Sequence, residues 1–214
     1  MFRLKVNSVL CAILLGILLM SVNALAFDLN PSIPTTPPFM FIRWTGTSMT
    51  YWINTGVPST WITPINSADA TWDAAKGPFV FDYNGTTTTS TNNPCGTPST
   101  YDGTNVIIAQ DCSSTDWLAV TWLWYSTTNK NILDCDITFN TYYPWSTTGA
   151  AGYYDVQNIA THELGHCLFL VDLYKGAASG ATMYGYAATG ETKKRTLHWD
   201  DKAGIWTLYD SKYK

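Results

Sequence analysis

The chain has 214 residues, of which 13% are charged, with a heavy aromatic load of 10 Trp, 13 Tyr and 8 Phe and a formal net charge of −4. That length suits one globular domain. The acidic balance argues against a nucleic-acid partner, since the phosphate backbone is gripped by clustered Lys and Arg.

Residues 1–26 read as an export signal: Arg3 and Lys5, an apolar run over 9–20, then the small-residue site Ala24-Leu25-Ala26. The run is shorter than the ~20 residues a membrane-spanning helix needs, and Ser21 and Asn23 interrupt any extension. The mature chain is therefore expected to be secreted, without stable membrane insertion, and monomeric. Residues 27–40 carry four prolines and no periodic pattern, an extended lead-in to a domain over 41–214.

Within that domain residues 49–53 read as a strand, and 58–75 as a helix that buries Ile62, Ile65, Ala68 and Trp72. Gly77-Pro78 ends the helix, 79–83 alternates as a strand, and 84–93 is a Thr-rich loop containing the sequon Asn84-Gly85-Thr86. Residues 105–109, 118–125 and 132–140 supply three further strands, the last expected to point Ile137 and Phe139 inward with Asp136 and Thr138 outward. Asp155 is a good N-cap for a second helix over 156–170, and a third helix is expected over 200–209, with Asp200 and Asp201 at its positive end.

Four cysteines remain once Cys11 leaves with the signal: Cys95, Cys112, Cys135 and Cys167. An even number in an oxidising compartment predicts two disulfides. Cys95 with Cys112 flanks the 106–109 strand and leaves Cys135 for Cys167, although the sequence alone permits three pairings.

The second helix contains His162-Glu163-Leu164-Gly165-His166. Histidines four apart share one helix face, so both imidazoles can reach a single tetrahedral zinc, with Glu163 beside the water that the metal acidifies and placed to act as general base. A catalytic zinc takes three protein ligands and keeps one position for water. Asp172 is the candidate third ligand, which requires the helix to end near Leu168 or Phe169 and the chain to turn back beneath the metal. Glu191 and His198 are its rivals.

These residues resemble the matrixin-like metzincins, whose motif HExxHxxGxxH has a variant ending in Asp and reads here as His162, Glu163, His166, Phe169 and Asp172. Ala181-Thr182-Met183-Tyr184 is similar to the family's Met-turn, a hydrophobic floor beneath the zinc, and 197–205 is similar to its C-terminal helix signature of paired aspartates before Gly-Ile. The resemblance implies an α+β catalytic domain: a twisted five-stranded mixed sheet, two long helices, and a small C-terminal subdomain holding the Met-turn and last helix. It implies a protein or peptide substrate lying extended along the sheet edge, with one side chain in a pocket beside the zinc. Tyr186 stands where some metzincins carry a tyrosine that approaches the metal; its other reading is a wall of that pocket.

Two departures stand out. Phe169 replaces the family's glycine, whose freedom at φ > 0 lets the chain turn sharply. Only residues 27–40 separate the expected cleavage site from the domain, so no propeptide of the family's kind is expected; Pro94-Cys95-Gly96-Thr97-Pro98 resembles its cysteine-switch sequence but lies inside the domain and is read as half of a disulfide. Structural calcium is a further candidate cofactor, with Asp and Asn residues of the 84–131 loops available but no ligand spacing among them. The competing functions are a catalytically inactive binding module on this scaffold, gripping a partner through exposed tryptophans, and a peptidase with Glu191 as third ligand.

Overall fold

The computed structural model describes residues 41–209 apart from 76 and 114; the signal and lead-in readings over 1–40 lie outside the described residues. The chain order is β1 (Ser48–Asn54), α1 (Ser59–Asp73), β2 (Val80–Thr87), β3 (Val106–Gln110), β4 (Ala119–Ser126), β5 (Asn131–Asn140), the short pair β6 (Trp145–Ser146) and β7 (Tyr154–Asp155), α2 (Val156–Cys167) and α3 (Trp199–Tyr209). Five strands form one sheet in the order β2-β1-β3-β5-β4, parallel throughout except that β4 runs antiparallel to β5. The architecture is α+β with a mixed five-stranded sheet, as the sequence leads one to expect. No helix among the described residues is long and apolar enough to cross a membrane.

Both long helices pack on one face of the sheet and against each other. Helix α1 buries Trp61, Ile65, Ala68 and Trp72, while Ile62 is only half-buried. The Trp72 indole N–H donates to Thr161 O of α2 at 2.8 Å, so the two helices are joined by a directed bond as well as by apolar contact. Helix α2 is buried along almost its whole length, from Val156 to Cys167. Such a helix is held by its surroundings rather than by local propensity, and its polar groups must find partners inside the protein.

Its start and end are both fixed. Asp155 caps the N-terminus, accepting from Asn158 N at 2.9 Å, and pairs with Arg195. Cys167 closes a disulfide with Cys135 of β5, and Cys95 closes one with Cys112. The helix stops at Cys167, three residues before the expected end.

Two further sequence expectations change. Strand β2 runs on to Thr87 and takes in the sequon, because Gly85 at φ +94° accommodates a register shift against β1. Asp136 and Thr138 do not point to solvent: they are 4% and 0% exposed, because the chain between β2 and β3 covers that face. Asp134 accepts Asp102 N–H and Gly103 N–H from this cover at 3.1 and 3.2 Å, and Asp136 accepts Val106 N–H at 3.0 Å.

Burial, reinforced by the neighbouring Asp134 charge, pushes the Asp136 carboxyl up to about 8. An Asp in the unfolded chain titrates near 4, so the native state holds an extra proton across that interval, and stability falls as pH rises through it. Asp136→Asn keeps an acceptor for Val106 N–H and carries no charge. Its advantage in melting temperature over the parent is expected to be small at pH 5 and to grow steadily toward pH 8, by up to about 1.4 kcal/mol per pH unit, read by thermal melts at the two pH values.

Candidate metal centre

Helix geometry places His162 and His166 one turn apart with Glu163 between them. The His162 Nδ1–H donates to Thr182 O at 2.7 Å, and the His166 Nδ1–H to Leu170 O at 2.7 Å. With both Nδ1 hydrogens committed, each Nε2 presents a lone pair, and the two stand 3.1 Å apart. Asp172 Oδ1 lies 3.1 Å from His162 Nε2 and 3.6 Å from His166 Nε2. Asp172 Oδ1 and Glu163 Oε1 are buried and have no hydrogen-bond donor among the described residues.

Three acceptors thus meet in a buried place that supplies no donor. Left so, they repel one another; a cation among them removes the conflict. The charges of these groups act on one another in the same sense. Burial raises the Asp172 carboxyl, but the two imidazoles reverse this and hold it well below the usual carboxylate range. Burial lowers His166 as well, yet the Asp172 and Glu163 charges raise it overall, whereas burial and the Lys194 charge take His162 down to about 4. Atoms bound 2.0–2.2 Å from a tetrahedral zinc are separated by about 3.3–3.6 Å, close to the three separations here. The residues fit the metal, and they form the only such cluster of His, Cys, Asp and Glu among the described residues.

The chain reaches Asp172 through an unexpected turn. Phe169 adopts φ +74°, the left-handed conformation its bulk disfavours. The Phe169 N–H bonds back to His166 O at 2.8 Å and the Leu170 N–H to Gly165 O at 3.2 Å, the pair of reverse bonds that closes a helix on a left-handed residue. That conformation costs about 1–2 kcal/mol for an L-residue. The Phe169 ring is 4% exposed, packed with Ile42 and Ile132 and edge-on to Tyr125 at 5.2 Å; burying it contributes about 1.5–3 kcal/mol, enough to offset the strain.

Beyond the turn, Leu173 N–H donates to Met183 O and Gly185 N–H to Leu173 O, so Asp172 is fixed to the 181–185 segment. Met183 itself is 3% exposed and packs under α2. A Cβ on Gly165 would collide with Met183 Sδ and come within 2.8 Å of Trp72 Cζ2, so the close approach of these side chains to α2 requires glycine at this position. Asp201 at the start of α3 accepts Thr182 N–H, Met183 N–H and His198 N–H, an anchoring task beyond the helix-dipole role its position suggests. The order of support therefore runs from α3 to the 181–185 turn, and from Thr182 O to His162.

Glu163 is fully buried, and burial pushes its carboxyl up to about 7 even though the Thr121 hydroxyl donates to Oε2 at 2.6 Å. Thr121, on β4, gives no local sequence signal. Neither does Tyr174, whose hydroxyl donates to Asp172 Oδ2 at 3.0 Å and leaves Oδ1 facing the histidines. Lys194 is 1% exposed, donates to Tyr184 O and lies 3.5 Å from His162 Nδ1; burial lowers it to about 8. The rival ligands lie elsewhere: Glu191 pairs with Lys193 at 3.2 Å and accepts from Asn158, and His198 is outside the cluster. Tyr186 is half-buried and packs on Tyr174 and Tyr184 with ring centroids 5.3 and 5.4 Å apart. No acidic cluster fit for calcium stands out in the described 84–131 loops.

A family model described as matrixin fits residues 92–210, more than half of the chain, including His162, Glu163, His166, Asp172 and Met183. Curated proteins give no match. Tyr174→Phe, which keeps the ring and removes the bond to Asp172, is expected to weaken zinc binding about tenfold, the usual effect of losing a group that orients a ligand; competition with a chromophoric chelator measures it.

Proposed function

The chain belongs to the matrixin family of zinc metallopeptidases, and on that premise we propose that it is a secreted endopeptidase whose metal is held by His162, His166 and Asp172 and whose general base is Glu163. The observation that carries this reading is the meeting of three lone pairs next to a buried carboxylate whose Oε1 has no hydrogen-bond partner among the described residues. A zinc ion held there would supply the Lewis acidity that polarises the scissile carbonyl and acidifies water.

Glu163 Oε1 is the atom that takes the proton, since Oε2 is engaged by the Thr121 hydroxyl, and the same oxygen can pass it to the leaving amine. Thr121 fixes the carboxylate plane. Met183, buried against Gly165 of α2, suits an apolar floor beneath the two histidines. Strand β4 is an edge of the sheet and also carries Thr121, so an extended peptide added along β4 would bring its backbone past Glu163. Tyr186, packed edge-on against Tyr174 and Tyr184, suits a wall of the adjoining side-chain pocket.

A binding module that grips a polymer through tryptophans finds little support. Only Trp199 and Trp206 are exposed, at 64% and 40%, and the other eight are buried or half-buried. Glu163→Gln is expected to retain the melting temperature and about one zinc per chain while kcat/KM on a cleaved peptide from a broad library falls about 10³-fold. Loss of zinc in this variant, or undiminished turnover, would show that Glu163 is not the base.

A further inference from the structure

Phe169 is not itself one of the proposed metal ligands, yet the atoms on either side of it do the orienting. The His166 carbonyl accepts its N–H, the next carbonyl, Leu170 O, holds the His166 imidazole at 2.7 Å, and Asp172 follows three residues on. A glycine would adopt this turn freely; a phenylalanine adopts it only if something outside the turn holds the ring. That something is a separate apolar cluster of Ile42, Ile132 and Phe169, with Trp44, Leu123 and Tyr125 packed against it. The cluster joins three distant parts of the chain. Ile42 belongs to the segment ahead of β1, which bridges from Arg43 to Asn131 at the start of β5, and the Trp44 indole N–H donates to Cys167 O at the end of α2 at 2.8 Å.

We propose that Phe169 is a positioning residue for the metal site, and that the packing of its ring against Ile42, Ile132 and Tyr125 sets the metal affinity by holding the left-handed turn that aims Leu170 O at His166 and brings Asp172 to the histidines. The inference rests on the metal reading above and adds a coupling to it. Residues outside the ligand set, on the 41–44 segment and on strands β4 and β5, control how well the third ligand is placed.

The experiment measures zinc dissociation constants by chelator competition on the full chain, together with the visible spectrum of the cobalt-substituted protein and the melting temperature of the metal-stripped protein. Phe169→Ala keeps a side chain that disfavours φ > 0 and removes the ring; it is expected to weaken zinc 10- to 100-fold and to alter the cobalt bands. Phe169→Gly relieves the backbone and also loses the ring, and is expected to fall between the parent and Phe169→Ala. Tyr125→Leu, which leaves the turn untouched, is expected to weaken zinc several-fold, and it decides the matter if Phe169→Ala does not fold. A merely structural ring would lower the melting temperature of the stripped variants while leaving the zinc constant and cobalt spectrum at the parent values, and that result overturns the proposal. Zinc binding by Phe169→Gly as tight as the parent's overturns it too, since backbone freedom alone would then suffice. A parent chain that binds no zinc brings down the metal reading itself, whereas a parent that binds zinc with unaffected variants brings down this inference alone.

Discussion

Everything about the site follows from one electrostatic constraint. Two imidazole nitrogens and a carboxylate oxygen are pressed to within 3.1–3.6 Å of each other inside the protein, with both Nδ1 hydrogens already given to carbonyls. Such an arrangement is costly without a positive charge at its centre. A proton can relieve one pair of acceptors, as the raised His166 and the depressed Asp172 show, but a divalent ion satisfies all three together. The rest of the fold supplies the rigidity that keeps the acceptors from relaxing apart.

That rigidity comes from several directions. The α2 N-terminus is held by Asp155 and Arg195, its middle by Trp72 and the thioether of Met183, and its last residue by the Cys135–Cys167 disulfide and the Trp44 indole. Each imidazole is oriented by a carbonyl from a different segment, Thr182 for one and Leu170 for the other. Asp201, buried at the start of α3, fixes the first of these segments through two backbone N–H groups. Ligand geometry is thus imposed by backbone that is itself tied to the core, which is how an exact metal site is made from flexible side chains.

Much of this could be read from the residues. Spacing of four on a helix places two histidines on one face whatever the tertiary context, and the periodicities of α1, α2 and most strands reflect burial on one side. What could not be read arises from contacts between distant segments. Thr121 is 42 residues from Glu163, and Tyr174 is oriented by a turn whose geometry depends on Phe169. Phe169 itself points the wrong way locally: its bulk argues against φ > 0, and only the cluster formed with Ile42 and Ile132 reverses that preference. Asp136 and Thr138 misled for a related reason. Alternation along β5 implies a solvated face, but a polar covering segment with no hydrophobic pattern buries both sides of the strand.

The most direct test of the account is the zinc content of purified, dialysed full-length chain and of two single variants, read by elemental analysis. The account predicts about one zinc per chain in the parent, loss of the metal in Asp172→Ala, and its retention in Glu191→Ala. A metal-free parent, or zinc that survives Asp172→Ala and disappears in Glu191→Ala, would contradict it.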